Sequence, residues 1–381
     1  MGSTKGPVFL VALTSALVLG VALAGVSSHA AAGCVDAIGI EAPLSGPVAD
    51  IGREQLAFAK LAVQNDNAAN GTDISLVEGD TQLDVTQAAT VTQQIISNPR
   101  IVGVVGPAAS PEVKAVGPLF GRAGLAFITG SATNTALTTS GKYPTFFRMV
   151  ARDNLEGFQD AHYVINRLKP KAVMIIDDEE VYSTRLVSAM IPAFKRAGIA
   201  VDHESVSQRQ TNFARLVRKV MPPIGVVLLP WQVAANAEQF GRQLARAHRK
   251  AVLFGTDGIQ SSAFTIPGSY VSAFGPDIRA IPADRQIAAA AARKFPNFGT
   301  FGPPVYAATH VVDDAIASVC RSGETPSRGN VLTAIKATKE ATSIFGLPVR
   351  FDAHGDLIAA KWFLFKIDRA GKYRMVTTPK R

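Results

Sequence analysis

The chain has 381 residues, 47% hydrophobic and 18% charged, with two cysteines and a formal charge of +9. That apolar share excludes a disordered chain, and the length gives room for two well-cored domains. Two cysteines exclude a disulfide-dense scaffold and a four-thiolate zinc site. Six scattered histidines, with no H-E-x-x-H and no H-x-H pair, point to no metal centre, and no cofactor is expected.

Residues 1–33 carry one charge, Lys5, then a mainly apolar run over 8–26 and small residues such as Ser28-His29-Ala30 and Ala30-Ala31-Ala32. This is the layout of a cleaved secretory signal peptide; its Ala and Gly richness argues against a retained membrane anchor. Its removal leaves a charge of +8, because Lys5 is the only charged residue in it. Cys34 follows at once and has two main readings. It can be acylated as a lipid anchor, although Ala31 stands three residues before it where Leu is usual. Alternatively it pairs with Cys320, since export exposes thiols to an oxidising compartment.

The body alternates between strand and helix. Short apolar, β-branched runs occupy 38–42, 74–78, 101–105, 125–128, 172–176, 225–229 and 251–254. Helical spacing lies between them, as in Leu186, Met190, Phe194 and Ala197, or Phe240, Leu244 and Ala247. Near-continuous apolar strands separated by helices predict an α/β fold, with parallel sheets covered on both faces. Ser110-Pro111-Glu112 reads as an N-cap followed by a helix-starting Pro, and Gly198 as a helix stop. The pattern runs once over 38–147 and again over 153–274, which predicts two doubly wound lobes. Helices are then expected over about 282–295, 304–321 and 328–339. A pair of strands near 349–351 and 362–367 should follow, joined by the turn Asp352-Ala353-His354-Gly355-Asp356.

In such sheets ligands bind beyond the carboxyl ends of the strands. One lobe places there Gly106-Pro107-Ala108-Ala109-Ser110, feeding a helix, and Thr129-Gly130-Ser131-Ala132-Thr133-Asn134-Thr135. The other offers the acidic run 177–180 with Tyr182, then Pro230-Trp231, and Gly255-Thr256-Asp257-Gly258. Hydroxyls and helix-start N–H groups suit a carboxylate, and a single acid suits an ammonium, so together they suit a zwitterion. Each residue also has a plain structural reading: Ser110 as a cap, Asp257-Gly258 as a turn, and 177–180 as a solvated helix start.

Ala42-Pro43-Leu44-Ser45-Gly46-Pro47 with Gly52, Asp177-x-x-x-x-Tyr182, 254–258 and Phe351-Asp352-x-x-Gly355-Asp356 make the chain resemble the leucine/isoleucine/valine-binding protein family. These are solute receptors of ABC importers with the type I periplasmic binding fold. The resemblance implies three hinge crossings, near Arg148, Arg279 and Gly346. Lobe one is then 35–148 with 280–346, and lobe two 149–279 with 347–381; Cys320 comes to the lobe of Cys34. It further implies that Ser110 and Thr133 bind a ligand carboxylate, with Thr133, the Ser131 carbonyl and Asp257 holding the ammonium. Ala132 lies within that loop, Tyr182 and Trp231 close over the ligand, and Phe301 lines the side-chain pocket. Ile51 stands where the family commonly has an aromatic, and the acid is Asp rather than Glu, which leaves the ligand's side chain open.

The expected function is therefore a periplasmic, monomeric binding protein, not an enzyme, that delivers an amino acid, branched-chain or otherwise aliphatic, to a permease and its ATPase. No G-x-S-x-G, S-x-x-K or P-loop pattern is present. A ligand sensor of the same fold, or a receptor for amides, ureas or aromatic acids, is the alternative. Basic residues such as Arg242, Arg246, Arg249 and Lys250 lack interleaved aromatics, which argues against a nucleic-acid partner.

Overall fold

The computed structural model describes residues 1–4, 6 and 34–376; the apolar run and cleavage site of the expected signal peptide lie outside the described residues. The compact unit Gly33–Arg381 holds two sheets. The first contains β1 (Ala37–Ala42), β2 (Ser75–Asp80), β3 (Ile101–Val105), β4 (Ala126–Thr129) and β5 (Phe146–Arg148), all parallel, in the order β2-β1-β3-β4-β5. The second contains β6 (Ala172–Asp177), β7 (Ala200–Ser205), β8 (Ile224–Leu229), β9 (Val252–Gly255), β10 (Tyr270–Ala273), β11 (Phe363–Ile367) and β12 (Tyr373–Met375). Its order is β12-β11-β10-β9-β8-β6-β7, with β11 and β12 antiparallel.

Burial on both faces explains the unbroken apolar strands. Every residue of β1, β3, β4 and β6 is buried. In the first lobe, helices Ala49–Asn70 and Gly302–Arg321 cover one face through Phe58, Ala62, Val311 and Ile316, while Val91, Ile95, Val116 and Phe120 cover the other. In the second, Phe213, Leu216 and Phe240 lie on one side and Leu186, Met190 and Phe194 on the other. The edge strand β7 was not anticipated, because Ala-Val-Asp-His-Glu-Ser is mostly polar and only partly buried.

Three passages link the lobes. The first runs from β5 to helix Asp153–Tyr163 and the second from β10 to the turn Ile278–Ala280. The third differs from expectation. Val349, Phe351 and Leu357 pack in the first-lobe core with Phe147, so the chain changes lobe at about 358–362 rather than near Gly346. The expected strand pair is also corrected. Phe351 bridges Leu357 within the turn, while β11 pairs with β10 and β12. Gly355 makes this turn possible: its φ is +87°, and a Cβ there would stand 2.1 Å from the Phe146 carbonyl oxygen. The passages pack on one another, with Phe274 against Trp362 and the Trp362 indole N–H donating to the Arg152 carbonyl.

Arg148 ties the first and third passages together. It is fully buried; its Nε donates to Asp356 Oδ1 (2.5 Å), Nη1 to the Asn134 carbonyl (3.0 Å) and Nη2 to Thr138 Oγ1 (2.5 Å). Burial draws its pKa down while Asp356 draws it up. Cys34 and Cys320 form a disulfide with Cα atoms 6.0 Å apart, joining the start of the first lobe to the end of its long helix across 286 residues.

Cys320→Ser should lower unfolding stability by roughly 2–5 kcal/mol, read as the denaturant midpoint with and without reductant on the parent chain. Arg148→Met leaves the buried Asp356 carboxylate with only the more distant Arg152 (3.6 Å) as a countercharge, and should cost about 3 kcal/mol in the same measurement.

Candidate functional site

Both sheets have a topological switch point, between β1 and β3 in the first and between β6 and β8 in the second. The loops at the carboxyl ends of the two sheets face each other around a cleft with a cavity volume of about 30 Å³, lined from β1, β2, β3 and β4 on one side and from β6, β8 and β9 on the other. Its first-lobe wall is Pro43, Val48, Ile51, Leu83, Ala108, Ala109, Ser110, Ser131 and Phe301; its second-lobe wall is Tyr182, Gln232, Asp257 and Gly258. One wall is thus chiefly apolar with two hydroxyls, and the other is polar with one carboxyl group.

Close packing sets the first wall. Gly52 lets helix Ala49–Asn70 approach the loop after β1, since a Cβ there would lie 2.1 Å from the Pro43 carbonyl oxygen. Glu54 on the same helix accepts the backbone N–H groups of Gly299 and Gly302, both at 2.7 Å, and so fixes the bend that presents Phe301. Burial, partly offset by those two bonds, raises the Glu54 pKa to about 7. Phe301 stands edge-on to Phe274 of the second passage.

Helix Ser110–Arg122 starts at the cleft. Ser110 is its first residue rather than its cap; Ala109 is the cap, and its N–H donates to Glu112 Oε2. Ser110 Oγ instead accepts the Asn134 N–H (3.2 Å), and its own proton has no acceptor among the described residues. Ser131 Oγ donates to the Ala108 carbonyl and accepts from Gln55, and Ser131 N–H and Ala132 N–H both donate to Thr129 Oγ1. The hydroxyl-rich loop is therefore held by its own short side chains.

On the second wall, Asp257 opens a single helical turn after β9. The Tyr182 hydroxyl donates to Asp257 Oδ1 at 2.6 Å, lies 2.6 Å from Thr256 Oγ1 and accepts the Gly258 N–H. Burial raises the Asp257 pKa to about 6 against the lowering effect of these bonds. The acidic run was expected to be solvated, and half of it is: Glu179 is exposed and Glu180 half-buried, but its first two residues are not. Asp177 and Asp178 are buried: Asp177 Oδ2 meets His203 Nε2 and Ser205 Oγ, and Asp178 Oδ2 accepts from Gln208 Nε2 and the Gln232 N–H. Burial pushes Asp178 up to about 6.

Of the residues singled out from sequence, Ser110, Ser131, Tyr182, Asp257 and Phe301 meet at the cleft. Ala132 and Thr133 sit behind it: Ala132 packs in the first-lobe core, and Thr133 Oγ1 is fully buried with no hydrogen-bond partner. Trp231 is a correction. Its ring packs against Phe213 and Phe240 inside the second lobe, and its indole N–H donates to the Ile176 carbonyl, because the side chain points back under the sheet end. Its neighbour Gln232 takes the place at the cleft. Sequence reading also passed over Val48, Leu83 and Glu54, although the first two follow strands β1 and β2 and could have been found by the strand-end rule.

The two lobes touch across the cleft's rim. Asn134 Nδ2 donates to the Val181 carbonyl, and Gln260 Oε1 accepts from both N–H and Oγ1 of Thr300. An apolar seam of Val48, Ile51, Val150, Val233, Phe274, Phe301 and Trp362 runs between them.

The Periplasmic binding protein family model matches residues 37–372. An amino acid binding protein of Pseudomonas aeruginosa is 27% identical over 370 residues, covering 92% of this chain and 95% of its own length. Leu/Ile/Val-binding protein homolog 3 of Brucella melitensis biotype 1 is 28% identical over 363 residues, covering 92% of this chain and 97% of its own. The structure superposes on the leucine binding protein LivK of Thermotoga maritima with a TM-score of 0.81 at 19% identity, over 90% of this chain and 99% of that one. It superposes on LivJ of Streptococcus pneumoniae, a complex with isoleucine, with a TM-score of 0.79 at 22% identity, again over 90% and 99%. A family match that spans both sheets, on a chain whose cleft lies where their two switch points face, makes this chain a member of the periplasmic binding protein family.

Proposed function

We propose that this chain is an exported receptor that captures an amino acid in its inter-lobe cleft and presents it to the permease of an ABC importer. The observation that carries the reading is the division of the cleft walls. Ser110 offers a free hydroxyl proton at a helix start on one lobe, Asp257 offers a carboxyl group on the other, and Val48, Ile51, Leu83 and Phe301 line the space beside them. A zwitterion with an aliphatic side chain satisfies all three at once, its carboxylate toward Ser110 and its ammonium toward Asp257. The relatives named for amino-acid binding support the same ligand class. The expected periplasmic location follows from this role and the signal-like leader.

The mechanism is hinge closure by selection. The ligand touches both lobes, so it stabilises only the form in which they meet, and the three packed passages between the lobes confine the motion to rotation about them. No residue at the cleft forms a nucleophile–base pair of the kind acyl or phosphoryl transfer needs, and a receptor rather than a catalyst fits the arrangement.

A thermal-shift panel of the twenty L-amino acids, their amides and aromatic acids should show stabilisation by aliphatic amino acids; stabilisation only by ligands without an amino group would overturn the reading. Asp257→Ala should weaken binding of the best amino acid at least tenfold by calorimetry, since losing one partner of a buried ion pair costs roughly 2–5 kcal/mol, about thirtyfold or more. Phe301→Ala should weaken leucine more than alanine, by roughly tenfold, because it removes side-chain wall rather than headgroup contact.

A further inference from the structure

Behind Asp257 lies a set of acids that direct ligand contact does not use. Helix Asp153–Tyr163 turns Glu156 and Asp160, one helical turn apart, toward strand β10, and both are buried. The Asp257 N–H donates to Glu156 Oε1 (3.0 Å). Ser272 Oγ of β10 lies 2.7 Å from Glu156 Oε1 and 2.9 Å from Asp160 Oδ2. A serine hydroxyl carries one proton and can donate to only one of these oxygens, so the other contact needs a proton on a carboxyl group.

The surroundings supply no countercharge. Among the described residues no Lys, Arg or His forms an ion pair with Glu156, Asp160 or Asp257. The groups facing them are Tyr182 from its helix, Thr256 and Ser272 from the sheet end, and Asp153, which adds negative charge and is itself within the field of Arg148. Burial first, then mutual repulsion, raises Glu156 and Asp160 well above the usual carboxyl range. Like charges this close in a dry site cannot all ionise.

We infer that Glu156 and Asp160 belong to the ammonium site as positioning residues: the Glu156–Asp160–Asp257 cluster stores protons in the empty receptor and releases one to solvent when a cationic headgroup is seated on Asp257. The inference rests on the amino-acid reading of the cleft. The entering ammonium keeps its own protons and replaces one carboxyl proton as the cluster's positive charge, so no charge is buried unpaired. The sign follows from linkage. Protons compete with the ammonium, so affinity falls on acidification and rises with pH until the empty cluster is itself ionised.

The test is calorimetry of L-leucine binding to the mature chain near pH 6.5, in two buffers of very different ionisation enthalpy, with Kd followed from about pH 5 to 8. The expected result is release of close to one proton per ligand and binding roughly a hundredfold weaker at pH 5 than at pH 7.5. Equal heats in both buffers with a flat Kd profile would overturn the inference while leaving the amino-acid reading standing. No binding by any of the twenty L-amino acids would overturn both. Glu156→Gln keeps an acceptor for Asp257 N–H and an N–H donor but cannot titrate, and should lower the proton count and flatten the profile; its thermal melt shows whether it is folded. A folded variant with the parent's proton count and slope would remove Glu156 from the site. Should that variant not fold, Asp160→Asn gives the same readout, and the parent's proton count already decides the inference.

Discussion

A single guanidinium holds the architecture to its site. Arg148 ends the last strand of the first sheet, and from there it reaches the Asp356 carboxylate, the Asn134 carbonyl and the Thr138 hydroxyl without any exposure to water. Its planar fork satisfies three partners in fixed directions, which an ammonium could not do. Those partners belong to the turn before the third passage, the loop whose Asn134 N–H meets Ser110 Oγ, and the short helix Ala136–Thr139 that follows that loop. The position of the Ser110 hydroxyl at the cleft is thus mechanically continuous with the hinge. A buried charge of this kind contributes little net stability when complete and costs much when broken, so its value is in fixing geometry.

The cleft is electrostatically lopsided. The first-lobe wall holds neutral hydroxyls and hydrocarbon, while the second places Asp257 in front of Glu156 and Asp160, all shielded from water. In a medium of low effective dielectric such a group selects strongly for a cation and against an anion at the same spot. The first lobe has its own buried carboxyl groups in Glu41, Glu54 and Glu112, and burial raises all three. Glu54 and Glu112 are anchored by backbone N–H groups and fix loops, whereas Glu41 is held by the Thr92 hydroxyl. The same residue type therefore acts as scaffold beneath one wall, while beneath the other Glu156 both accepts the Asp257 N–H and stands in a cluster of further acids.

Much of this was legible in the sequence for identifiable reasons. Strands β1, β3, β4 and β6 announce themselves because both faces are buried, which forces a continuous apolar run. Ser110, Ser131 and Asp257 were found because parallel sheets bring ligands to their carboxyl ends. Strand β7 was missed because an edge strand with one exposed face has no such constraint. Trp231 was misplaced because an aromatic after a strand can turn outward to the cleft or back beneath the sheet. That choice depends on the cavity left by Phe213 and Phe240, which are remote in sequence.

Local sequence determined the alternation of elements, the two windings and the residue types at the strand ends, because periodicity and turn chemistry act over a few neighbours. Only the tertiary structure decided three other things. The hairpin at Gly355 stays with the first lobe, because that glycine alone allows its backbone against Phe146. Cys34 meets Cys320 because helix Gly302–Arg321 ends beside the start of β1. Asp257 gains Glu156 and Asp160 as neighbours because a helix 101 residues earlier in the chain crosses behind it. Each is a contact between segments far apart in sequence, where composition sets what can pair and packing chooses what does.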